Sequence, residues 1–535
     1  MLAPGHRRSA PSMGGAGAGA LSHLLVARQP VARVLRALLP SFVADAVFPE
    51  HRPAWRLHPT SYLDGLRGVA AVVVFFCHYT ENNFSALTPS YYRLVNDPGP
   101  DPSSGEGGGA GGGHPSWSSE GSSWLQLPFA RVVFSGRPMV HIFFVISGFV
   151  LSYKPVRALR ARETERCYAA LASSAFRRAF RLFGPCVVST LLILGMRRAG
   201  WLPGGGAQET TTLAEELWAW KGAVFHQLTW PWEWDRDLRP AYDVHLWTIP
   251  IEFAHSMLLF MVLLMLSRVR VGVRMAAVVG VMGYCLACGK WAGFEFLSGL
   301  FLAEVYVLRA ARSKEWEGEG ASETYQARSS ASRWLLKTFQ FGLVLLSLFI
   351  AGWPNSEAEK TPGIRYFLAQ TPMPFAKMDD LAPQKFWFGL SAVATVWAVG
   401  DLGFLRRLFE SPFAQYCGRI SYAVYICHGP VEELFRDWLI GHPIIAAAGE
   451  PGTPEYKPAL PGTGVKGFVG IETKTQITVG WFVGLWLLAP LVIWAADLFW
   501  RGVDNQVVSL ARRLEMWCLD DAEPSPRSQG YSTAA

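Results

Sequence analysis

Ten long apolar runs constrain this 535-residue chain more than anything else in it, because only helices and closed barrels satisfy their backbone inside a bilayer. The runs cover 65–80, 138–153, 180–197, 245–266, 272–289, 291–308, 338–353, 385–403, 413–430 and 477–499, the lengths of membrane-crossing helices. Half of the residues are hydrophobic and only 17% are charged, which suits a membrane protein with modest loops. The expected fold class is all-α: a polytopic membrane helix bundle of about ten transmembrane helices. Several runs are short or broken by glycine, as in helices that line a cavity. Loop charge sets an orientation. Lys154, Arg157, Arg160, Arg162, Arg166, Arg177 and Arg178 follow the second run, and basic clusters recur at Arg268–Arg274, Arg309–Lys314, Arg406–Arg407 and Arg501. Acidic or neutral loops at 80–137, 198–244, 354–384 and 431–476 alternate with them. By the positive-inside rule both termini are expected in the cytoplasm, with the chain in an endomembrane or the plasma membrane. The net charge of +7 follows from this topology and calls for no nucleic acid.

Residues 1–59 read as a cytoplasmic region and 60–505 as the membrane domain, with 506–535 as a cytoplasmic tail. The first 44 residues hold five arginines and no acid, and 21–44 has the pattern of an amphipathic helix lying in the interface. A mitochondrial presequence has the same composition and is the alternative. Residues 101–123 form a Gly/Ser-rich loop, 313–332 a charged linker and 519–535 a disordered tail. Eight cysteines are scattered. Cys285 and Cys288 make a C-x-x-C without a second pair, which reads as packing. No metal site and no bound cofactor are expected.

Ionisable groups inside spans are costly and mark function. Arg67 and His78 lie eleven residues apart in the first span. That is about 1100° of helix, so they share a face roughly 16 Å apart along the axis. Ala70, Ala71 and Val74 lie near that face and leave room beside it. A cation at one end and an imidazole at the other suit a site that holds an anion and moves a proton. Snorkelling to opposite interfaces is the plainer alternative. His78, His141, His245 and His428 all fall at the outer ends of their spans. Interfaces tolerate histidine, so the pattern alone does not decide between binding and anchoring. Glu252 lies two turns inside the fourth run, seven residues after His245 and on its face, with His255 one turn deeper. It needs a histidine or arginine partner on a neighbouring helix. Pro250 removes a backbone donor there and can bend the helix. Ser421, Tyr425 and His428 make one polar face in the ninth run, lining either a cavity or another helix.

Five segments then carry a resemblance. They are Tyr62 to Gly68 followed by His78, Phe143 to Ser152, Phe176 to Leu182, Leu246 to Phe253, and Gly418 to His428. Their order resembles the successive signatures of the membrane acyltransferase-3 family, fungal-type members above all, over roughly 60–500. The resemblance implies acyl transfer, commonly acetyl, from a cytoplasmic acyl-CoA such as acetyl-CoA to a hydroxyl of a sugar, lipid or secondary metabolite. It implies that the arginine and histidine of the first span, here Arg67 and His78, are the functional pair. The Gly-rich insertion departs from the pattern. Too few residues follow the tenth run for an appended hydrolase-like domain. On this basis His78 is the expected general base, Glu252 the group that orients an imidazole, and Arg67 a holder of donor phosphate or oxyanion. His245, His141, Ser421, Tyr425 and His428 are expected near the acceptor. Arg177, Arg178 and Arg181 suit the donor's phosphates, although positive-inside topology explains them equally well. The expected partners are the bilayer, the acyl-CoA donor and a small-molecule or glycan acceptor. A proton-coupled transporter or flippase with a polar tunnel is the rival reading, and a non-catalytic scaffold the third.

Overall fold

The computed structural model describes residues 36–47, 57–91, 93–95, 116–118, 122–202, 212–318, 323–445 and 459–519. It comprises two units, Met1–Arg56 and Leu57–Ala535. Of the first, the described part is helical at 36–38, breaks at Leu39–Pro40 and is helical again at Ser41–Val47, so the expected helix over 21–44 is interrupted; its residues 21–35 lie outside the described residues. Most of the Gly/Ser-rich loop and of the tail also lies outside them.

The second unit is an all-α bundle. Its main helices are α1 (Ser61–Asn83), α2 (Gly136–Arg160), α3 (Thr164–Arg198), α4 (Thr248–Met265), α5 (Val271–Ala287), α6 (Trp291–Gly318), α7 (Glu323–Ala351), α8 (Ala382–Asp401), α9 (Pro412–Phe435), α10 (Lys474–Phe499) and α11 (Asn505–Cys518). α1 to α10 stand where the ten apolar runs lie. Seven are long and apolar enough to cross a membrane, and α8 makes eight if its 97° bend into Gly403–Phe409 counts as one span. α5 is short at 17 residues, and α9 is too polar to pass by composition. That polarity has a reason: Gln415, Ser421, His428 and Glu432 are all buried in the protein interior. The charged linker at 313–332 is largely helical, because α6 continues to Gly318 and α7 begins at Glu323. A short antiparallel pair, Arg93–Val95 with Ser116–Ser118, interrupts the loop after α1.

Glycine decides which helices touch. A Cβ on Gly65 would come within 1.8 Å of the Phe409 carbonyl oxygen, and one on Gly68 within 2.1 Å of the Gly418 nitrogen. A Cβ on Gly418 would in turn meet the Asp64 oxygen at 2.4 Å. α1 and α9 therefore run backbone against backbone, the contact that small residues permit between helices in lipid. Gly148 and Gly299 do the same for α2 and α6, facing the Phe296 and Val145 carbonyls. Ala70 and Val74 pack against Met139, Ile142 and Ile146, so these small residues admit a neighbouring helix instead of leaving space. Between α5 and α6 the almost fully buried Arg274 Nε donates to Glu304 Oε1 at 2.5 Å. At the end remote from the basic loops, the buried Arg131 donates to the Thr88 carbonyl at 2.8 Å, to the Gln126 carbonyl and to the Pro89 carbonyl, tying the segment after α1 to the one before α2.

Candidate active site

Two charged layers form inside the bundle. The first gathers around the glycine contact of α1 with α9. Arg67, one helical position before Gly68, donates from Nη2 to the Gly418 carbonyl at 3.2 Å and lies 3.5 Å from Asp64. Its Nε is buried without a partner. α3 brings up three arginines. Arg178 donates to Glu252 Oε1 at 2.7 Å and to Ser256 Oγ at 3.0 Å. Glu252 also accepts from Ser147 Oγ at 3.0 Å. The partner that Glu252 needs is thus an arginine on α3 and not His245. Arg177 pairs with Glu515 of α11 at 3.2 Å. Arg181 is exposed and has no ion-pair partner among the described residues, yet it feels the charges of Arg178, Asp504, Arg67 and Arg177. Clustered guanidiniums, one of them unpaired, suit a polyanionic group.

The second layer holds three histidines. The His78 ring centroid lies 4.5 Å from that of His245 and 5.3 Å from that of His428, and the last two are 4.7 Å apart. α1 supplies the first and α9 the third. His245 comes from the turn Val244–Trp247 that opens α4, capped by Asp243, whose Oδ1 accepts from the His245 backbone. Space for it exists because residue 429 is glycine: a Cβ there would sit 2.4 Å from His245 Nδ1. Carboxylates back the imidazoles. Asp243 Oδ1 is 2.9 Å from His245 Nδ1, and Glu81 Oε2 is 3.3 Å from His78 Nδ1. Glu432 accepts from Asn82 and Asn83 at 2.9 and 2.8 Å and leaves its other oxygen buried without a partner. The His78 side chain is 28% exposed, against 16% for His245 and 0% for the residue His428, so His78 is the imidazole an incoming molecule meets first.

A polar seam joins the layers along α9. Ser421 donates back to the Gly418 carbonyl at 2.9 Å. Tyr422 donates to the Leu182 carbonyl at 2.5 Å and lies 3.3 Å from Cys186 Sγ. Tyr425 meets Thr248 Oγ1 at 2.6 Å and donates to the His245 carbonyl, locking that histidine in place. Gly418 and His428 are ten residues apart, so the layers are separated by about 15 Å of helix.

Of the residues singled out in the sequence, His78, His245, His428 and Tyr425 come together, and Arg67, Arg178, Arg181 and Glu252 form the other group. Arg177 is turned to α11. His141 stands elsewhere: its Nδ1 is 2.5 Å from the buried Glu295, and its ring packs on Trp291 and Phe388. His255 faces Asp235 at 3.2 Å. Sequence reasoning missed Glu81, Asp243 and Glu432. Their signal was spacing, because they stand three after, two before and four after the three histidines.

The Acyltransferase domain model matches residues 60–501. The chain is 30% identical over 419 residues to O-acetyltransferase PaAT-1 of Phomopsis amygdali, covering 72% of this chain and 74% of that protein. Acyltransferase clz18 of Cochliobolus lunatus is 26% identical over 421 residues, 71% of this chain and 84% of that one. Acyltransferase R4 of Phoma sp. (strain ATCC 20986 / MF5453) is 27% identical over 415 residues, covering 69% and 82%. No solved structure matches significantly.

Proposed function

Because the chain belongs to the acyltransferase-domain family of integral membrane enzymes, we propose that it moves an acetyl group from acetyl-CoA to a hydroxyl of a lipophilic secondary metabolite. The observation that carries the reading is the pair of layers: unpaired arginine charge at one level, a histidine cluster about 15 Å away, and a polar seam between. The donor's phosphates bind Arg181, Arg178 and Arg67, with Glu252 holding the Arg178 fork in position. The pantetheine arm follows the Tyr422–Cys186 seam and delivers the thioester to the histidines. His78 takes the proton of the acceptor hydroxyl while that oxygen attacks the thioester carbonyl. The new C–O bond forms as the C–S bond breaks, and the CoA thiolate leaves and is protonated by solvent. Asp243 holds His245, and Glu81 holds His78, in the tautomer with Nδ1–H, so Nε2 is the basic atom. An acetyl group agrees with the name of the Phomopsis relative. A lipophilic acceptor is supported by the exposed Trp230, Trp232 and Trp234 in the segment leading to His245, the residue type that favours a membrane–water boundary. In this reading the arginine layer faces the cytoplasm, the side that the positive-inside rule favours for the basic loops.

The test is transfer from radiolabelled acetyl-CoA by the purified chain in nanodiscs to a panel of hydroxylated terpenoids, polyketides and sugars, with the ester identified by mass. General-base catalysis contributes about 10²–10⁴-fold, so His78→Ala should lose at least 10²-fold while remaining monodisperse. Activity within a few-fold of wild type removes the base assignment.

A further inference from the structure

We propose that His78, His245 and His428 together hold a divalent transition cation, zinc before others, with the acceptor oxygen as its fourth ligand. One ring nitrogen of each histidine lies within 4.8 Å of the other two. The tautomers follow from the partners. His428 Nδ1 is 2.8 Å from the Tyr425 carbonyl oxygen and 3.2 Å from that of Val424. A carbonyl can only accept, so Nδ1 carries the hydrogen and Nε2 the lone pair. Asp243 and Glu81 do the same for the Nδ1 atoms of His245 and His78. Each imidazole is therefore oriented through one nitrogen by an oxygen and offers the other, the arrangement that outer partners give to metal-bound histidine. His428 Nε2 is buried and has no hydrogen-bond partner. A cation between the rings would give the orphaned His428 Nε2 the partner it lacks.

The dimensions agree. Zinc–nitrogen bonds of about 2.0–2.1 Å in a tetrahedron set ligand nitrogens roughly 3.3 Å apart. From separations of at most 4.8 Å, the rings need to close by no more than about 1.5 Å, within reach of side-chain rotation. Three imidazoles without a thiolate favour zinc, cobalt, copper, iron or nickel over magnesium or calcium. Three protein ligands also leave a position open, as catalytic sites do. The inference rests on the acyl-transfer reading for what fills that position, and it alters how the hydroxyl is activated. Held by the cation, the hydroxyl loses its proton to solvent more readily, as metal-bound water does. The oxygen then attacks the thioester, the C–O bond forms, the C–S bond breaks and the thiolate leaves.

The test uses the full chain, purified in detergent without a polyhistidine tag or chelator. Elemental analysis should find about one zinc per wild-type chain, the stoichiometry of a single tetrahedral site. His245→Ala and His428→Ala should each lose it, whereas His442→Ala, outside the cluster, should keep it. Cobalt(II) added to chelator-stripped wild type should give the visible absorption of a tetrahedral nitrogen site, a readout that depends on no variant. Wild-type protein that carries no transition metal and stays colourless with cobalt overturns the proposal. If that protein still transfers acyl groups undiminished, the acyl-transfer reading stands without the cation. A zinc-loaded chain that transfers from no thioester supports the site and removes that reading.

Discussion

Gly429→Ala tests the histidine layer through a single methyl group. The added carbon would lie 2.4 Å from His245 Nδ1 and 2.7 Å from its Cε1. Non-bonded atoms settle at about 3.5–4.0 Å, so the imidazole must retreat by about 1 Å. It cannot retreat freely. Asp243 holds its Nδ1 at 2.9 Å, and Tyr425 grips its carbonyl. Overpacking of this kind costs about 1–3 kcal/mol, and breaking a charge-assisted hydrogen bond about 1.5–3 kcal/mol. A displacement of about 1 Å in a catalytic constellation costs on the order of 10²-fold in rate. The expected result is a turnover about a hundred-fold below wild type with donor affinity unchanged, because the arginine layer is untouched. Initial rates across an acetyl-CoA titration measure both. Gly283→Ala on α5, where a Cβ meets nothing within 4 Å, is the control and should be near wild type. The double variant Gly429→Ala/His245→Ala should be no worse than His245→Ala, since both act on one group. Full activity in Gly429→Ala, or a double variant whose losses add, would refute the steric reasoning.

Other expectations follow from the arginine layer and from topology. Arg67→Lys keeps charge but loses the planar fork, and should weaken donor binding about ten- to a hundred-fold, the equivalent of about 1.5–3 kcal/mol. Glu252→Gln should likewise raise the donor KM, because it releases Arg178; a fall in turnover at unchanged donor KM would move Glu252 to the acceptor side. In a background with the exposed Cys288 and Cys518 replaced by serine, Ala161→Cys should react with an impermeant reagent only from the cytoplasmic face, and Glu233→Cys only from the opposite one. The reverse pattern would invert the bundle.

The helical class was legible because a bilayer leaves few alternatives, and the spacing of Arg67 from His78 already put both on one face. The ninth helix was legible by its polar stripe, whose regularity survives folding: Ser421, Tyr425 and His428 do face the interior seam. Two things were not legible. His141 and His245 look alike in the sequence, each opening a span. What separates them is the tertiary neighbour, Glu295 for one and the other two histidines for the other, and no local pattern encodes that. Glu252 was readable as a carboxylate in need of a partner. That its partner would be Arg178 depends on how α3 lies against α4.

The backbone contact between α1 and α9 has a consequence for how such an enzyme diversifies. His78 and His428 are 350 residues apart in the chain, yet the helices that carry them meet backbone to backbone at Gly68 and Gly418. Segments between the helices can then differ in length without moving an imidazole. Connecting segments of another length or composition can therefore be joined to this helix pair while the geometry of its buried side chains is kept.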